Sequence, residues 1–70
     1  MITEKLLLAS GFQKVDLKSG SIFEHKVHDW IEYDLEDYTV CINDRWLEPQ
    51  YKYPEELSNL FKALTGEDLL

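Results

Sequence analysis

The apolar positions follow three different rhythms along the chain. Ile2, Leu6, Leu7 and Leu8 form a compact apolar start. Thr3 is placed to cap a short helix, with Ile2 and Leu7 as a hydrophobic staple across its first turn. The leucines are strong helix formers, and Gly11 supplies the left-handed residue that ends the helix. Phe12 is then expected to fold back over the last turn. Lys18-Ser19-Gly20-Ser21 is a turn cluster, and after it Ile22, Phe23 and Val27 sit among polar residues in the looser pattern of a strand. The next rhythm is cleaner. Ile31-Glu32-Tyr33-Asp34-Leu35 alternates apolar and acidic without a break, which predicts a half-buried strand. Glu36-Asp37 is the expected turn, and Tyr38, Val40 and Ile42 continue the alternation opposite Thr39, Cys41 and Asn43. The pair reads as an antiparallel hairpin with one buried and one wet face.

Asn43-Asp44 predicts a further turn, with Arg45-Trp46-Leu47 as a short edge strand or irregular segment. Pro49 and Pro54 bracket a loop holding Tyr51 and Tyr53. Pro54 suits the first turn of a helix, where Glu55 and Glu56 meet the positive end of the helix dipole. Leu57, Leu60, Phe61 and Leu64 then recur at helical spacing, Gly66 closes the helix, and Leu69-Leu70 are expected to tuck back onto the core. The prediction is a single α+β domain over residues 1–70. It consists of a short N-terminal helix, about three antiparallel strands and a C-terminal amphipathic helix, with the helices on one sheet face.

Seventy residues with 44% apolar content make an ordinary folded domain of marginal core size. Small cores usually need a staple, and one cysteine, Cys41, excludes an intrachain disulfide. Self-association, as a homodimer, stays open. Fourteen acidic residues against seven basic ones leave a formal charge of −7. This disfavours direct binding to nucleic acid or anionic membranes, because phosphate contacts need Lys and Arg to displace counterions. It favours a basic protein partner instead. The apolar start is too short for a membrane span and lacks the form of a signal peptide. With a lone thiol, this predicts a cytoplasmic protein.

The acidic residues are concentrated. Asp29, Glu32, Asp34, Glu36 and Asp37 fall close together, with no Lys or Arg between Lys26 and Arg45. Alternate residues on a strand lie about 6.6 Å apart on one side, so Glu32, Asp34 and Glu36 are expected to form a row of carboxylates spaced much like phosphates in an extended nucleic-acid strand. The plainer reading is a solvated outer face that keeps the sheet soluble. By alternation Trp30 stands on the same face, where it would stack on an arginine of the partner; the plainer reading is that the tryptophans complete a core short of large residues. Trp46 and Tyr51 are further aromatic candidates for a protein contact. The expected partner-binding set is therefore Trp30, Glu32, Asp34, Glu36, Asp37, Trp46 and Tyr51.

Catalysis and metal binding find little support. On a strand His25 and His28 point to opposite faces and cannot chelate together, so both read as surface histidines. Cys41 reads as a small strand residue, and the chain carries no Gly-rich phosphate loop or metalloprotease motif. No cofactor, metal or catalytic residue is expected.

The C-terminal run Tyr53-Pro54-Glu55-Glu56-Leu57-Ser58-Asn59-Leu60-Phe61-Lys62-Ala63-Leu64-Thr65-Gly66-Glu67-Asp68-Leu69 resembles the closing helix, of the form LxNLFxALTGxxL, of small acidic proteins from Bacteroidota phages and mobile elements. Leu7-Leu8-Ala9-Ser10-Gly11-Phe12 is similar to their usual start, and Ile31 to Ile42 to their middle hairpin. Pro54 and Ser58 depart from that pattern without disturbing the helix. The resemblance implies a mobile-element setting, in which small acidic proteins often inhibit host defence. Anti-CRISPR proteins are among these inhibitors, and RNA-cutting CRISPR effectors of the Cas13b class are an obvious target there.

Charge and resemblance together predict a non-enzymatic inhibitor. It would bind a basic nuclease or CRISPR effector in the host cytoplasm and act as a nucleic-acid mimic that obstructs guide or target handling. The alternative is a structural or adaptor module, dimeric, using the aromatic loop or a strand edge. A transcriptional regulator is disfavoured, since the last helix carries only Lys62.

Overall fold

A computed structural model describes residues 1–69. The order is α1 (Glu4–Ala9), β1 (Phe12–Leu17), β2 (Gly20–His25), β3 (Ile31–Asp34), β4 (Thr39–Ile42), β5 (Arg45–Trp46) and α2 (Pro54–Thr65). The strands form one antiparallel meander in the order β1-β2-β3-β4-β5. The fold is the expected α+β arrangement, but the sheet has five strands where about three were expected. Phe12 is buried in one cluster with Leu7 of α1. It opens β1, which pairs along its whole length with β2, from Phe12↔His25 to Leu17↔Gly20. The turn is correspondingly tighter than Lys18–Ser21, because Gly20 and Ser21 already belong to β2.

Cross-strand partners share a sheet face, so the register divides the strand residues into two sets. Phe12, Phe23, Tyr33, Val40 and Ile31 face the helices and are buried with Ile2, Leu7, Leu57, Phe61 and Leu69. Both helices therefore cover one face, as predicted. The staple forms, with Ile2 and Leu7 both buried, and Thr3 Oγ1 accepts from the Leu6 N–H at 3.2 Å. At α2, Pro54 occupies the first turn. Glu56 Oε1 reaches back to accept from the Tyr53 N–H at 3.1 Å, satisfying a donor the helix itself leaves free. Gly66 ends α2 in the left-handed conformation at φ 77°. Leu70 lies outside the described residues.

Tyr33 ties the sheet to the loop before α2. It is fully buried, and its hydroxyl donates to the Tyr51 carbonyl at 2.6 Å. Burial pushes the phenol up to about 12, with Tyr38, Asp34 and Glu56 adding to the effect. Tyr33→Phe is expected to cost about 1–2 kcal/mol in urea unfolding, because the carbonyl loses its donor in a water-poor setting. A loss below about 0.3 kcal/mol would mean that water replaces the hydroxyl there.

Candidate functional site: the open acidic sheet face

The second set of strand residues lies on the face without helices. In register these are Gln13↔Glu24, Glu24↔Glu32, Glu32↔Cys41 and Cys41↔Trp46, one row across all five strands. Beside it run Val15↔Ile22 and Asp34↔Thr39. Among the described residues no Lys or Arg occupies a strand position on this face. Lys14 and Arg45 pair with Phe23 and Ile42, so both belong to the helix side. Glu24 and Glu32 sit directly opposite each other on neighbouring strands, about 4.8 Å apart between backbones. Like charges so placed repel. The Gln13 side-chain amide relieves part of this by donating to Glu24 Oε1 at 3.1 Å.

The acidic row of the sequence is redrawn by this register. Glu32 and Asp34 keep their places on the open face, as expected. Glu36 does not continue them, because β3 ends at Asp34 and the chain turns. Asp34 Oδ1 accepts from the Glu36 N–H at 2.9 Å, an Asx-type turn that stops the strand. Glu36 instead lines a shallow hollow of about 380 Å³ with Glu4, Lys14, Phe23 and Leu35. Asp37 is exposed in the same turn, its carbonyl accepting from the Gln50 side chain. The third carboxylate of the face is Glu24, which comes from β2. Sequence distance concealed it, although the alternation of Ile22 and Glu24 against Phe23 and His25 was a usable signal.

The aromatic candidates divide. Trp46 is 48% exposed and closes the row beside Cys41. Trp30 lies outside β3, half-buried against the core, with its ring edge-on to His28 at 6.1 Å. It packs there and holds no strand position in the open-face rows where alternation set it. Tyr51 is also half-buried. Its N–H donates to the Tyr38 carbonyl and its own carbonyl receives Tyr33, so it serves the loop. Between Glu32 and Trp46, Cys41 is only 2% exposed. Burial pushes its thiol up, with the Glu32 carboxylate beside it reinforcing the effect. That favours the inert protonated form over a reactive thiolate.

The histidines depart furthest from expectation. His25 is buried, and its ring packs tilted against Phe61 at 4.8 Å and edge-on to Phe12 at 5.1 Å. His28 lies 5.4 Å from His25, so the two rings meet instead of pointing apart. The strand ends at His25, and the turn that follows brings His28 round to the same side. His28 Nε2 is 2.8 Å from Glu67 Oε1. Among the described residues no group of three or more ligand-type side chains is arranged to hold a metal ion. No helix among them is long and apolar enough to cross a membrane.

Compared with known proteins, the chain matches no family model, no curated protein and no solved structure.

Proposed function

We propose that this protein is an inhibitor that binds a basic, nucleic-acid-handling protein of a bacterial host's defence machinery, a nuclease or CRISPR effector, by its open sheet face. The observation that carries the reading is the composition of that face. Glu24, Glu32 and Asp34 are held on hydrogen-bonded strands with no Lys or Arg among them, and Trp46 flanks the row. Carboxylates fixed by a sheet need no ordering on binding, which lowers the entropic cost that flexible acidic tails incur. They meet Lys and Arg that otherwise hold phosphates, and Trp46 offers an aromatic face to a guanidinium. The protein would act in the host cytoplasm by occupying a groove and would perform no chemistry.

The test is a pulldown from nuclease-treated host lysate with wild type and the triple variant Glu24→Lys/Glu32→Lys/Asp34→Lys. Wild type is expected to retain a basic nucleic-acid enzyme, and the triple variant to bind it at least about a hundredfold more weakly, since like charges now face each other. Reversing Asp29, Glu48 and Glu55 changes net charge equally at positions outside the strands, and should leave most of the binding. Equal loss in both triples would reduce the effect to net charge and overturn the assignment of the face.

A further inference from the structure

The long free edge of the sheet, β1, has the properties of a self-pairing edge. Its opposite number, β5, is only two residues long, whereas β1 offers six. Hydrogen bonding in an antiparallel pair alternates along the strand. The Lys26 N–H donates to the Gly11 carbonyl at 2.9 Å, which sets the phase. Gln13, Val15 and Leu17 then bond inward to β2, and Phe12, Lys14 and Asp16 turn their backbone N–H and C=O groups outward. Among the described residues no loop, cap or side-chain hydrogen bond reaches those outward groups. An unpaired row of this kind is a template for another strand.

Charge says which strand. Residues 1–20 hold three basic and two acidic residues, whereas residues 21–70 hold four basic and twelve acidic. The segment that contains β1 thus carries no net negative charge, so two copies can meet along it without opposing acidic segments. Within the edge the charges complement themselves. Two antiparallel β1 strands related by a twofold axis through Val15 place Lys14 opposite the other copy's Asp16, twice by symmetry. Shifting the axis to Lys14 opposes two lysines, and shifting it to Asp16 opposes two aspartates and also Lys14 with Lys18. Of these three registers, only the Val15-centred one pairs opposite charges across the outward backbone groups. In the single chain Lys14 is engaged by Glu4 at 3.4 Å and Asp16 by the Ser21 hydroxyl of β2 at 2.9 Å, contacts that the pairing would exchange or share. The same register sets Val15 against Val15 on the open face and Leu17, 49% exposed, opposite Gln13. An apolar strip of Ile22, Val15, Val15 and Ile22 would then run across the junction.

The geometry points to a homodimer in which β1 pairs with β1 about Val15, making one continuous ten-stranded sheet that displays two acidic faces. This goes beyond the inhibitor reading and is tested on the purified chain alone. Sedimentation equilibrium should show a reversible dimer within reach of about millimolar chain concentration. The Phe12, Lys14 and Asp16 amides should gain hydrogen-exchange protection as concentration rises, while the Gln13, Val15 and Leu17 amides are protected throughout. Lys14→Asp and Asp16→Lys should each weaken the dimer by about tenfold or more, because each places two like-charge pairs in the interface. The double variant Lys14→Asp/Asp16→Lys should restore it. A wild-type chain that stays monomeric at about millimolar concentration would overturn the proposal. So would a dimer indifferent to the single reversals, or one whose outward amides stay unprotected.

Discussion

Phe61→Ala is expected to remove most of the protein's stability and leave the chain largely unfolded at physiological temperature. Phe61 is 2% exposed and sits on the buried stripe of α2. Its ring packs at 4.8 Å against His25 and 5.5 Å against His28, so it joins α2 both to β2 and to the connection that follows it. Truncating a buried phenylalanine costs about 3–5 kcal/mol, part lost burial and part residual cavity. A chain of this size has roughly 4–10 kcal/mol in total at typical stability per residue, and no disulfide limits the unfolded state, since Cys41 is a free cysteine. Circular dichroism during urea titration measures it, with Phe61→Leu as comparator. Leucine refills much of the volume and should cost less than half as much. A Phe61→Ala protein as stable as wild type would show that α2 does not close the core in this way.

The second large effect belongs to His25. Its Nδ1 accepts from two backbone donors, Val27 N–H at 3.2 Å and His28 N–H at 3.0 Å, and so pins the start of the connection between β2 and β3. That role requires an unprotonated Nδ1. Burial lowers the pKa from 6.5, and neighbouring His28 lowers it further, while Glu67 and the Ser10 backbone act in the opposite direction. A lowered folded-state pKa means that the unfolded chain takes up the proton first. The stabilisation is complete above about pH 6.5 and is lost as pH falls through the folded-state value. Stability should therefore decline on mild acidification, before most carboxylates titrate. His25→Leu keeps an apolar group in place but leaves two backbone donors without their acceptor, at about 1–3 kcal/mol each where water cannot replace it. Unfolding measured across pH should show the variant less stable at neutrality and missing the part of the acid slope that His25 contributes. If wild type and variant share the same pH profile, the ring is not the acceptor. Gly11 enforces the same arrangement from the other side. It has φ 95°, and a Cβ there would come within 3.0 Å of His25 Nε2.

The Phe61 effect belongs to a helix the sequence made plain, whereas the His25 effect arises where the sequence was hardest to read. The pattern of residues by itself determined the elements whose cause is local. The staple of Ile2 and Leu7 around Thr3, the unbroken alternation from Ile31, the Asn43-Asp44 turn and the Pro54 to Gly66 helix all follow from side chains within a few positions of each other. For Asn43 and Asp44, backbone φ angles of 50° and 67° agree with residue types that tolerate the left-handed region. β1 escaped because an edge strand has one neighbour. Only Phe12 is fully buried along it, and Gln13, Lys14, Asp16 and Leu17 are exposed on both sides, so no period of two survives.

The candidate site divides along the same line. That the protein carries a dense acidic segment with adjoining tryptophans is a property of composition and needs no fold. Which carboxylates stand together was decided by strand register. Glu24↔Glu32 pairing brought in a residue eight positions away, while the Asp34 turn removed Glu36. Whether an aromatic or imidazole ring faces solvent or the core was decided by where α2 lies. His25 and Trp30 carry the signature of surface residues in a polar stretch, yet His25 is buried against Phe61 of α2 and Trp30 is half-buried against the core. Local chemistry sets secondary structure because its interactions span a turn or a hairpin. Faces, neighbours and burial depend on contacts between segments far apart in the chain, and only the assembled sheet and helices determine those.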